Sequence, residues 1–146
     1  MGIIFSTKAG SSHSPLESSQ EKQTIFSTKQ APDPVGPYSK ALRSGNLLFC
    51  SGQIGLDPKT MQLVAGWVEA ETKQACHNIE GVLSEFGLGL KDVVKTTVFV
   101  KNISDYEKIN EIYKNYFVVK PARSMVEASA LPKGAQIEIE VIAQYK

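Results

Sequence analysis

The sequence predicts an α+β fold in which two helices cover one face of a mixed β-sheet. β-branched, alternating segments such as DVVKTTVFVK indicate strands. Two other segments carry apolar residues at steps of three and four, which indicates amphipathic helices. In chain order the elements read β-β-β-α-β-α-β-β, and helices gathered on one side of a sheet make an α+β architecture. The chain has 146 residues, enough for one domain with a hydrophobic core.

The first 23 residues differ in composition from the rest of the chain. The stretch AGSSHSPLESSQEKQ is rich in serine, glutamine and charge and has few large apolar residues. Such a segment cannot bury enough apolar surface to offset the entropy of ordering it. We therefore predict a flexible N-terminal arm over residues 1–23 and a single domain over residues 24–146.

Three strands open the predicted domain. TIFST, at 24–28, is predicted to be the first of them. APDPVGPYS contains three prolines and a glycine, so it is predicted to be a constrained loop. KALRSGNLLFCSGQI is typical of a β-hairpin, because Gly45 and Asn46 form a two-residue turn that tolerates positive φ between apolar flanks.

The two helices have recognisable ends. The first is predicted near 68–86, with Gly87 stopping it in the left-handed conformation. The second is predicted to begin at Ser104, because Ser104 and Glu107 match the capping-box pattern, and to end before Pro121.

The strand at 92–101 lies between the helices. Val94, Thr96, Val98 and Val100 are predicted to share one of its faces, because strand side chains alternate. Val93 and Phe99 are apolar residues on the opposite face. Apolar residues on both faces favour a second face that is covered as well, and hence an oligomer.

The last two strands are predicted at 123–130 and 137–144, paired antiparallel around LPKGAQ. In that register Arg123 lies six residues along the strand from the position opposite Glu138. At about 3.3 Å per residue the two side chains are roughly 20 Å apart. They could therefore serve one small substrate only across a subunit interface.

Charge and composition exclude several classes of protein. The net charge of +1 gives no electrostatic footprint for nucleic acid or for an anionic membrane. No apolar run approaches the roughly 20 residues that span a bilayer. Cys50 and Cys76 lie in apolar segments without CxxC spacing, which is typical of reduced thiols in an intracellular protein. We predict a cytoplasmic location, with a mitochondrion or another organelle as the alternative. His13 and His77 are isolated, so no metal site is predicted.

Arg123 and Glu138 are the main candidates for chemistry, and each has two interpretations. Arg123 is either a solvated charge at a strand edge or a planar fork that binds a carboxylate. Glu138 is either part of a solvated polar face together with Glu140 or a carboxylate that holds or deprotonates water.

Four further residues are candidates for lining a pocket. Tyr38 stands in a rigid loop and is either a partly buried core residue or a pocket wall. Ser51 and Gly52 end a strand, where the glycine marks either a close approach of a ligand or a bulge. Asn110 interrupts the apolar side of the second helix and either satisfies a backbone group or points into a cleft.

Four segments between about Thr24 and Tyr145 form a recognisable set: APDPVGPYSKA, LLFCSGQIGLDPKT, DVVKTTVFVKNISDY and PARSMVEASALPKGAQIEIEVIA. In these segments the sequence closely resembles the RidA/YjgF family of imine and enamine deaminases. The resemblance implies a fold similar to that of the small trimeric chorismate mutases, and a homotrimer with clefts between subunits. It also implies hydrolysis of 2-imino acids and enamines, such as 2-aminoacrylate, to 2-keto acids and ammonia without a cofactor or metal.

The resemblance further implies roles for individual residues. The arginine of PARS, Arg123, would bind the substrate carboxylate, and the first glutamate of IEIE, Glu138, would position the attacking water. The pocket would be lined by Tyr38, Ser51, Gly52, Asn110 and Met125. Met125 departs from the Cys, Ser, Thr or Ala common in the family, so it should narrow the pocket.

Two other functions remain open from the sequence. Some family members have been described as endoribonucleases or translation inhibitors, although this chain has no basic stripe for RNA. The third possibility is a non-catalytic module that binds 2-keto acids in the same cleft.

Overall fold

The computed structural model describes residues 30–146 as one five-stranded sheet with two helices. The elements are β1 Ala41–Ser44, β2 Leu47–Ile54, α1 Trp67–Glu85, β3 Val93–Val100, α2 Tyr106–Tyr116, β4 Ala122–Glu127 and β5 Ile137–Gln144. Short 3-10 turns precede β3, α2 and β5. The predicted arm over 1–23 and the predicted strand at 24–28 lie outside the described residues.

The strand order is β1-β2-β5-β3-β4, in which β3 and β4 are parallel and the other neighbours are antiparallel. Helix α1 connects β2 to β3, and α2 connects β3 to β4. The prediction of a mixed α+β sheet with two helices is confirmed. Neither helix of the described chain is both long and apolar enough to cross a membrane.

The main core lies between the helices and one face of the sheet. Its fully buried members include Ala75, Ile79 and Val82 of α1, Ile109 of α2, and Leu48, Val98 and Ile139 of the sheet. The opposite sheet face has no helix on it within residues 30–146, and Leu42 and Phe49 are 55% and 43% exposed there. We call this second surface the open face. Its apolar residues agree with the expected oligomer, which itself stays a prediction.

The predictions of the hairpin and of α1 are confirmed, but Ser51 and Gly52 do not end a strand, because β2 continues past a bulge to Ile54. Ser44 pairs with Leu47 across the hairpin, and Gly45 turns the chain with a φ of 61°. Helix α1 ends at Glu85, and Gly87 adopts a φ of 74° just beyond it. A glycine at that position closes the helix without the steric cost that a Cβ would add.

The predicted start of α2 is wrong. The helix begins at Tyr106 after a 3-10 turn, and Asn102 caps that turn. The side-chain oxygen of Asn102 accepts from the Ser104 backbone N–H at 3.0 Å and from the Ser104 hydroxyl at 2.7 Å. Ser104 and Glu107 therefore do not form the capping box, because an Asx turn two residues earlier already holds the Ser104 hydroxyl.

A bulge in β3 corrects the predicted alternation. The register shifts between Val93 and Lys95, so Val93 is buried and Val94 is 41% exposed. Thr96, Val98 and Val100 share the helix-covered face as predicted, but Val94 does not. One extra residue in a strand reverses the side-chain alternation beyond it.

The predicted pairing of the last two strands is also wrong. Strand β3 lies between β4 and β5, and β4 ends at Glu127 rather than at residue 130. The LPKGAQ segment is therefore a crossing past the end of β3 and not a hairpin turn. The register that gave a separation of about 20 Å along one strand does not exist.

Candidate functional site

The seven predicted site residues fall into two groups within one subunit. The arginine group consists of Arg123 and Met125 on β4 and Asn110 on α2. The glutamate group consists of Glu138 on β5, Ser51 and Gly52 on β2, and Tyr38 in the loop before β1.

The arginine group lies on the helix-covered face. Arg123 pairs with the fully buried Thr96 of β3, which directs both side chains towards α2. The Arg123 Nη1 donates to Asn110 Oδ1 at 2.9 Å. Its guanidinium carbon lies 4.7 Å from the ring centre of Tyr113 and 5.7 Å from that of Tyr106. A helical amide and two aromatic rings therefore hold the arginine.

Tyr106 and Tyr113 are site neighbours that the sequence did not reveal as such. Their positions, four residues before and three after Asn110, place all three on one helix face. The same spacing of three and four residues is typical of the core side of an amphipathic helix, so it does not by itself indicate a site. The Tyr113 hydroxyl also hydrogen-bonds to Thr96 Oγ1 at 2.7 Å, and burial raises the pKa of Tyr113.

Arg123 keeps donors available for a ligand. Its guanidinium carries five N–H groups, of which the bond to Asn110 uses one. No described carboxylate lies within salt-bridge distance of it. A half-buried arginine without a carboxylate partner is suited to bind one bidentately.

Met125 lies two residues beyond Arg123 on the same strand face. It is half-buried and packs against the main core. Its side chain therefore borders the space next to the guanidinium, about 7 Å along the strand.

The glutamate group depends on a bulge in β2. Cys50 pairs with Val141 and Gln53 pairs with Ile139, so Ser51 and Gly52 together face one residue of β5. A Cβ added to Gly52 would lie 2.6 Å from the Oε1 of Glu138. The bulge at Gly52 is therefore confirmed, and the group that lies against its backbone is the Glu138 carboxylate. The close approach of a ligand stays a prediction.

Ser51 fixes the loop that carries Tyr38. Its hydroxyl donates to the carbonyl of Ser39 at 2.6 Å, and its backbone N–H donates to the carbonyl of Lys40 at 2.9 Å. The hydroxyl proton of Ser51 is thus engaged within the chain. Tyr38 is 51% exposed, and its ring lies over Gly36.

All members of the glutamate group except Ser51 border a small cleft of about 70 Å³. Tyr38, Gly52 and Glu138 line it together with Pro132 and Lys133 from the segment after β4. Burial raises the pKa of Glu138, and the nearby negative charge of Glu140 raises it further. A carboxylate with a raised pKa is a stronger base than an exposed glutamate.

The two groups lie on opposite faces of the sheet. Glu138 alternates with the buried Ile137 and Ile139, so it points to the open face, whereas Arg123 points to the helices. Thr96 pairs with Arg123 and Phe99 with Glu138. Arg123 and Glu138 are therefore offset by three residues along the strand direction and by two strand spacings across the sheet. This offset puts their Cα atoms about 14 Å apart. One small molecule cannot contact both side chains of the same subunit.

Other chemistry is not supported by the described part of the chain. No three His, Cys, Asp or Glu residues within 30–146 are close enough to hold a metal ion. Cys50 and Cys76 are both buried and free, and burial raises the pKa of each thiol to about 12.

Comparison with known proteins assigns the family. The model of the family described as endoribonuclease L-PSP matches residues 28–145. The chain belongs to the RidA/YjgF family. The family predicted from the sequence motifs is thereby confirmed.

Similar RidA/YjgF proteins carry several names. A RutC family protein of Pyrococcus horikoshii is 50% identical over 123 residues, which are 84% of this chain and 97% of that protein. The human 2-iminobutanoate/2-iminopropanoate deaminase is 47% identical over 120 residues, covering 82% and 88% of the two chains. The crystal structure of the E. coli YjgF gene product has a TM-score of 0.78 and 40% identity, covering 84% and 98%.

Proposed function

We propose that the protein is a 2-iminobutanoate/2-iminopropanoate deaminase. It hydrolyses 2-imino acids and their enamine tautomers, such as 2-aminoacrylate, to 2-keto acids and ammonia. One observation carries the proposal: the half-buried Arg123 has no carboxylate partner among the described residues. Glu138, half-buried with a raised pKa, adds a base. The name of the human relative, at 47% identity, supports the same reaction.

The proposed active site forms between subunits of a homotrimer. Each subunit supplies Arg123, Asn110 and Met125 to one cleft and Tyr38, Ser51, Gly52 and Glu138 to another. The opposite directions of Arg123 and Glu138 support this arrangement, because a site within one subunit would lack either the cation or the base. The exposed apolar residues of the open face also favour association.

The proposed reaction adds water across the imine. Arg123 holds the substrate carboxylate and fixes the position of the imine carbon. Glu138 accepts a proton from a water molecule as the water oxygen bonds to that carbon. The proton then passes to the nitrogen of the resulting carbinolamine. The C–N bond breaks as the hydroxyl oxygen forms the C=O bond and loses its own proton to the departing ammonia, and ammonium and a 2-keto acid leave. A protonated imine is already electrophilic, so orientation and one base can supply the catalysis.

The remaining expectations belong to the same proposal. Met125 narrows the space beside the guanidinium and restricts the substituent of the imino acid. The protein acts in the cytoplasm on small molecules, without a cofactor, metal, nucleic acid or membrane partner.

The test measures ammonia and 2-keto acid released from 2-aminoacrylate generated in situ. Wild type should accelerate release over buffer, and Arg123→Ala should lower kcat/KM by about 10²-fold, because a charge-assisted bidentate contact is lost. Arg43→Ala is the matched control, since Arg43 is an exposed sheet arginine that packs over the Tyr145 ring. Equal rates for wild type and buffer would refute the function, and full activity of Arg123→Ala would refute the site.

The family description also names an endoribonuclease. Incubating the same preparation with single-stranded RNA tests that alternative. RNA cleavage abolished by Arg123→Ala, together with no deaminase activity, would replace the present proposal. Binding of a 2-keto acid without turnover would instead indicate a binding module.

A further inference from the structure

The loop that carries Tyr38 is tied by its own last residue. We call residues 31–40 the tyrosine loop. The Lys40 side chain is 8% exposed, and its Nζ donates to the carbonyl of Ala31 at 3.4 Å and to Glu85 Oε1 at 3.3 Å. The same Nζ lies 3.2 Å from Asp33 Oδ1. One ammonium therefore joins both ends of the loop to helix α1.

The partner of Lys40 is held rigidly. Glu85 is the last residue of α1, and its side chain is fully buried. Its second carboxylate oxygen, Oε2, has no hydrogen-bond donor among the described residues. A buried ion pair of this kind contributes little net stability, but loss of one partner leaves the other charge buried and uncompensated. Net stability therefore does not account for the pair, whereas the contacts of the Lys40 Nζ with Ala31 and Asp33 tie the loop to α1.

Close packing fixes the entry and exit of the loop. A Cβ on Gly81 would lie 2.5 Å from the carbonyl oxygen of Gln30, so the chain enters the loop directly against α1. At the exit, Ser51 donates to the carbonyls of Ser39 and Lys40. Between these anchors the loop is exposed from Asp33 to Ser39, and Tyr38 has no side-chain hydrogen bond to the described residues. The position of the Tyr38 ring therefore depends on the contacts that Lys40 and Ser51 make at the two ends of the loop.

We propose that Lys40 and Glu85 are positioning residues that hold Tyr38 at the wall of the Glu138 cleft. This inference rests on the proposed deaminase function and deepens it. Lys40 and Asp33 also border the cleft. The Lys40 Nζ is already engaged by Ala31, Asp33 and Glu85, so Lys40 acts through the position of Tyr38 and not by binding the substrate.

A double-mutant cycle tests the inference. Lys40→Gln shortens the side chain and removes its charge, but it leaves the Glu85 carboxylate buried and unpaired. The paired variant, Lys40→Gln with Glu85→Gln, removes both charges and avoids that cost. In the wild-type background the paired variant should lower kcat/KM by about tenfold, because small displacements of a binding group are costly to the reaction. In a Tyr38→Ala background the same change should have less than about a twofold effect, because it acts through a side chain that is gone.

The matched control is Lys108→Gln. Lys108 forms an exposed ion pair with Glu69 at 3.9 Å, so its loss removes a lysine contact without touching the loop. It should leave kcat/KM unchanged in both backgrounds. Thermal unfolding of each variant establishes that it is folded before rates are compared.

A second measurement does not depend on activity. The amide of Ser51 donates to the Lys40 carbonyl, so its hydrogen exchange reports whether the loop stays in place. Exchange at Ser51 should accelerate in the paired variant and not in Lys108→Gln. The exchange rate at Ser51 can be measured even if the protein has no deaminase activity. Failure of this inference can therefore be distinguished from failure of the proposed function.

Activity and hydrogen exchange together decide whether Lys40 and Glu85 position Tyr38. Loss of activity that disappears in the Tyr38→Ala background, with faster exchange at Ser51, supports the positioning role. The same fold-loss in both backgrounds would make Lys40 and Glu85 merely structural and overturn the inference. Unchanged activity with unchanged exchange would overturn it as well.

Discussion

The arginine group and the glutamate group are built by different means. The arginine group uses regular elements: a parallel strand presents Arg123 and Met125, and one face of α2 supplies Asn110. The glutamate group uses irregular backbone: a bulge in β2, a glycine without room for a Cβ, and a proline-rich loop. In the arginine group, side chains on a regular helix and strand pack around the Arg123 guanidinium. In the glutamate group, the β2 bulge places the Gly52 backbone directly against the Glu138 carboxylate.

The two groups also differ in electrostatics: the surroundings of Arg123 favour its charge, whereas those of Glu138 oppose its charge. Arg123 is supported by an amide oxygen and two aromatic rings, all of which favour a cation. Glu138 is opposed by burial and by Glu140, both of which disfavour its charged form. In the proposed reaction the arginine group binds the substrate carboxylate, and the glutamate group supplies the base. Substitutions in the arginine group should therefore change substrate binding, and substitutions in the glutamate group should change turnover.

The largest effect is expected from Glu138→Gln. The amide keeps the shape of the side chain but cannot accept a proton from water, so kcat should fall by about 10²- to 10⁴-fold. Affinity for a 2-keto acid, measured by calorimetry, should stay within about twofold, because the carboxylate is held by the other group. Equal losses in binding and turnover would contradict the division of roles.

Gly52→Ala should give the next largest effect. The new Cβ would lie 2.6 Å from Glu138 Oε1, which is the mobile end of the side chain, so the carboxylate must move while the fold is retained. We expect kcat to fall by about 10- to 100-fold, as is typical for a misplaced catalytic group.

The control for this prediction is Gly89→Ala, where the nearest atom would be Lys91 Cγ at 4.0 Å. Its kcat and its melting temperature should match those of wild type. Normal turnover by Gly52→Ala would show that the close contact between Glu138 and the glycine has no part in catalysis.

Asn110→Ala probes the arginine group with a smaller effect. It removes the acceptor of the Arg123 Nη1 hydrogen bond but leaves the Tyr106 and Tyr113 rings in place. We expect KM to rise by about 3- to 10-fold with little change in kcat, since one hydrogen bond to a charged group is lost. A fall in kcat at constant KM would assign Asn110 to the chemistry instead.

The smallest effect is expected from Glu140→Gln. Removing the Glu140 charge lowers the pKa of Glu138, so the acidic limb of the kcat–pH profile should move to lower pH. Asp33, Lys40 and Lys133 also line or flank the cleft of Glu138, and they are unchanged in this variant. A limb that stays in place would show that another group governs the profile.

The same raised pKa has a consequence for stability. Since folding raises the pKa of Glu138, the folded state favours its neutral form, and that favourable contribution is lost as the pH rises through the folded pKa. Glu138→Gln should therefore melt at a higher temperature than wild type at pH 7. The difference should vanish below the unfolded pKa, where the glutamate is protonated in both states. Calorimetric scans at the two pH values check this.

Much of the fold could be predicted from local sequence signals. Helix α1 was expected near 68–86 and spans Trp67–Glu85, because an apolar stripe and a following glycine define it. Strand β5 was expected over 137–144 and spans Ile137–Gln144. Both elements have a strong period and clear ends.

Strand order could not be predicted in this way. LPKG resembles a hairpin turn, and nothing in the local pattern indicates that β3 inserts between the strands on either side of it. The bulge in β3 also escaped prediction, because Val93 and Val94 fit either register equally well. These features depend on tertiary packing, which overrides local preference.

For the candidate site, the sequence named residues but not their arrangement. Arg123 and Glu138 are candidates because of their own chemistry, and the family resemblance assigns them roles. Their placement on opposite faces appears only once β3 is known to lie between their strands. The support from Lys40 and Glu85 was not visible either, since a lysine in a loop and a glutamate at a helix end are usually solvated.

Subunit complementation tests the central claim most directly. Arg123→Ala and Glu138→Gln are each expected to be inactive, and the two proteins can be unfolded, mixed in equal amounts and refolded. In a trimer with sites between subunits, about one quarter of the interfaces would combine an intact arginine with an intact glutamate. We therefore predict that the mixture recovers about a quarter of the wild-type rate. Mixed oligomers that form, as seen by native mass spectrometry, but show no more activity than the separate variants would contradict a shared site.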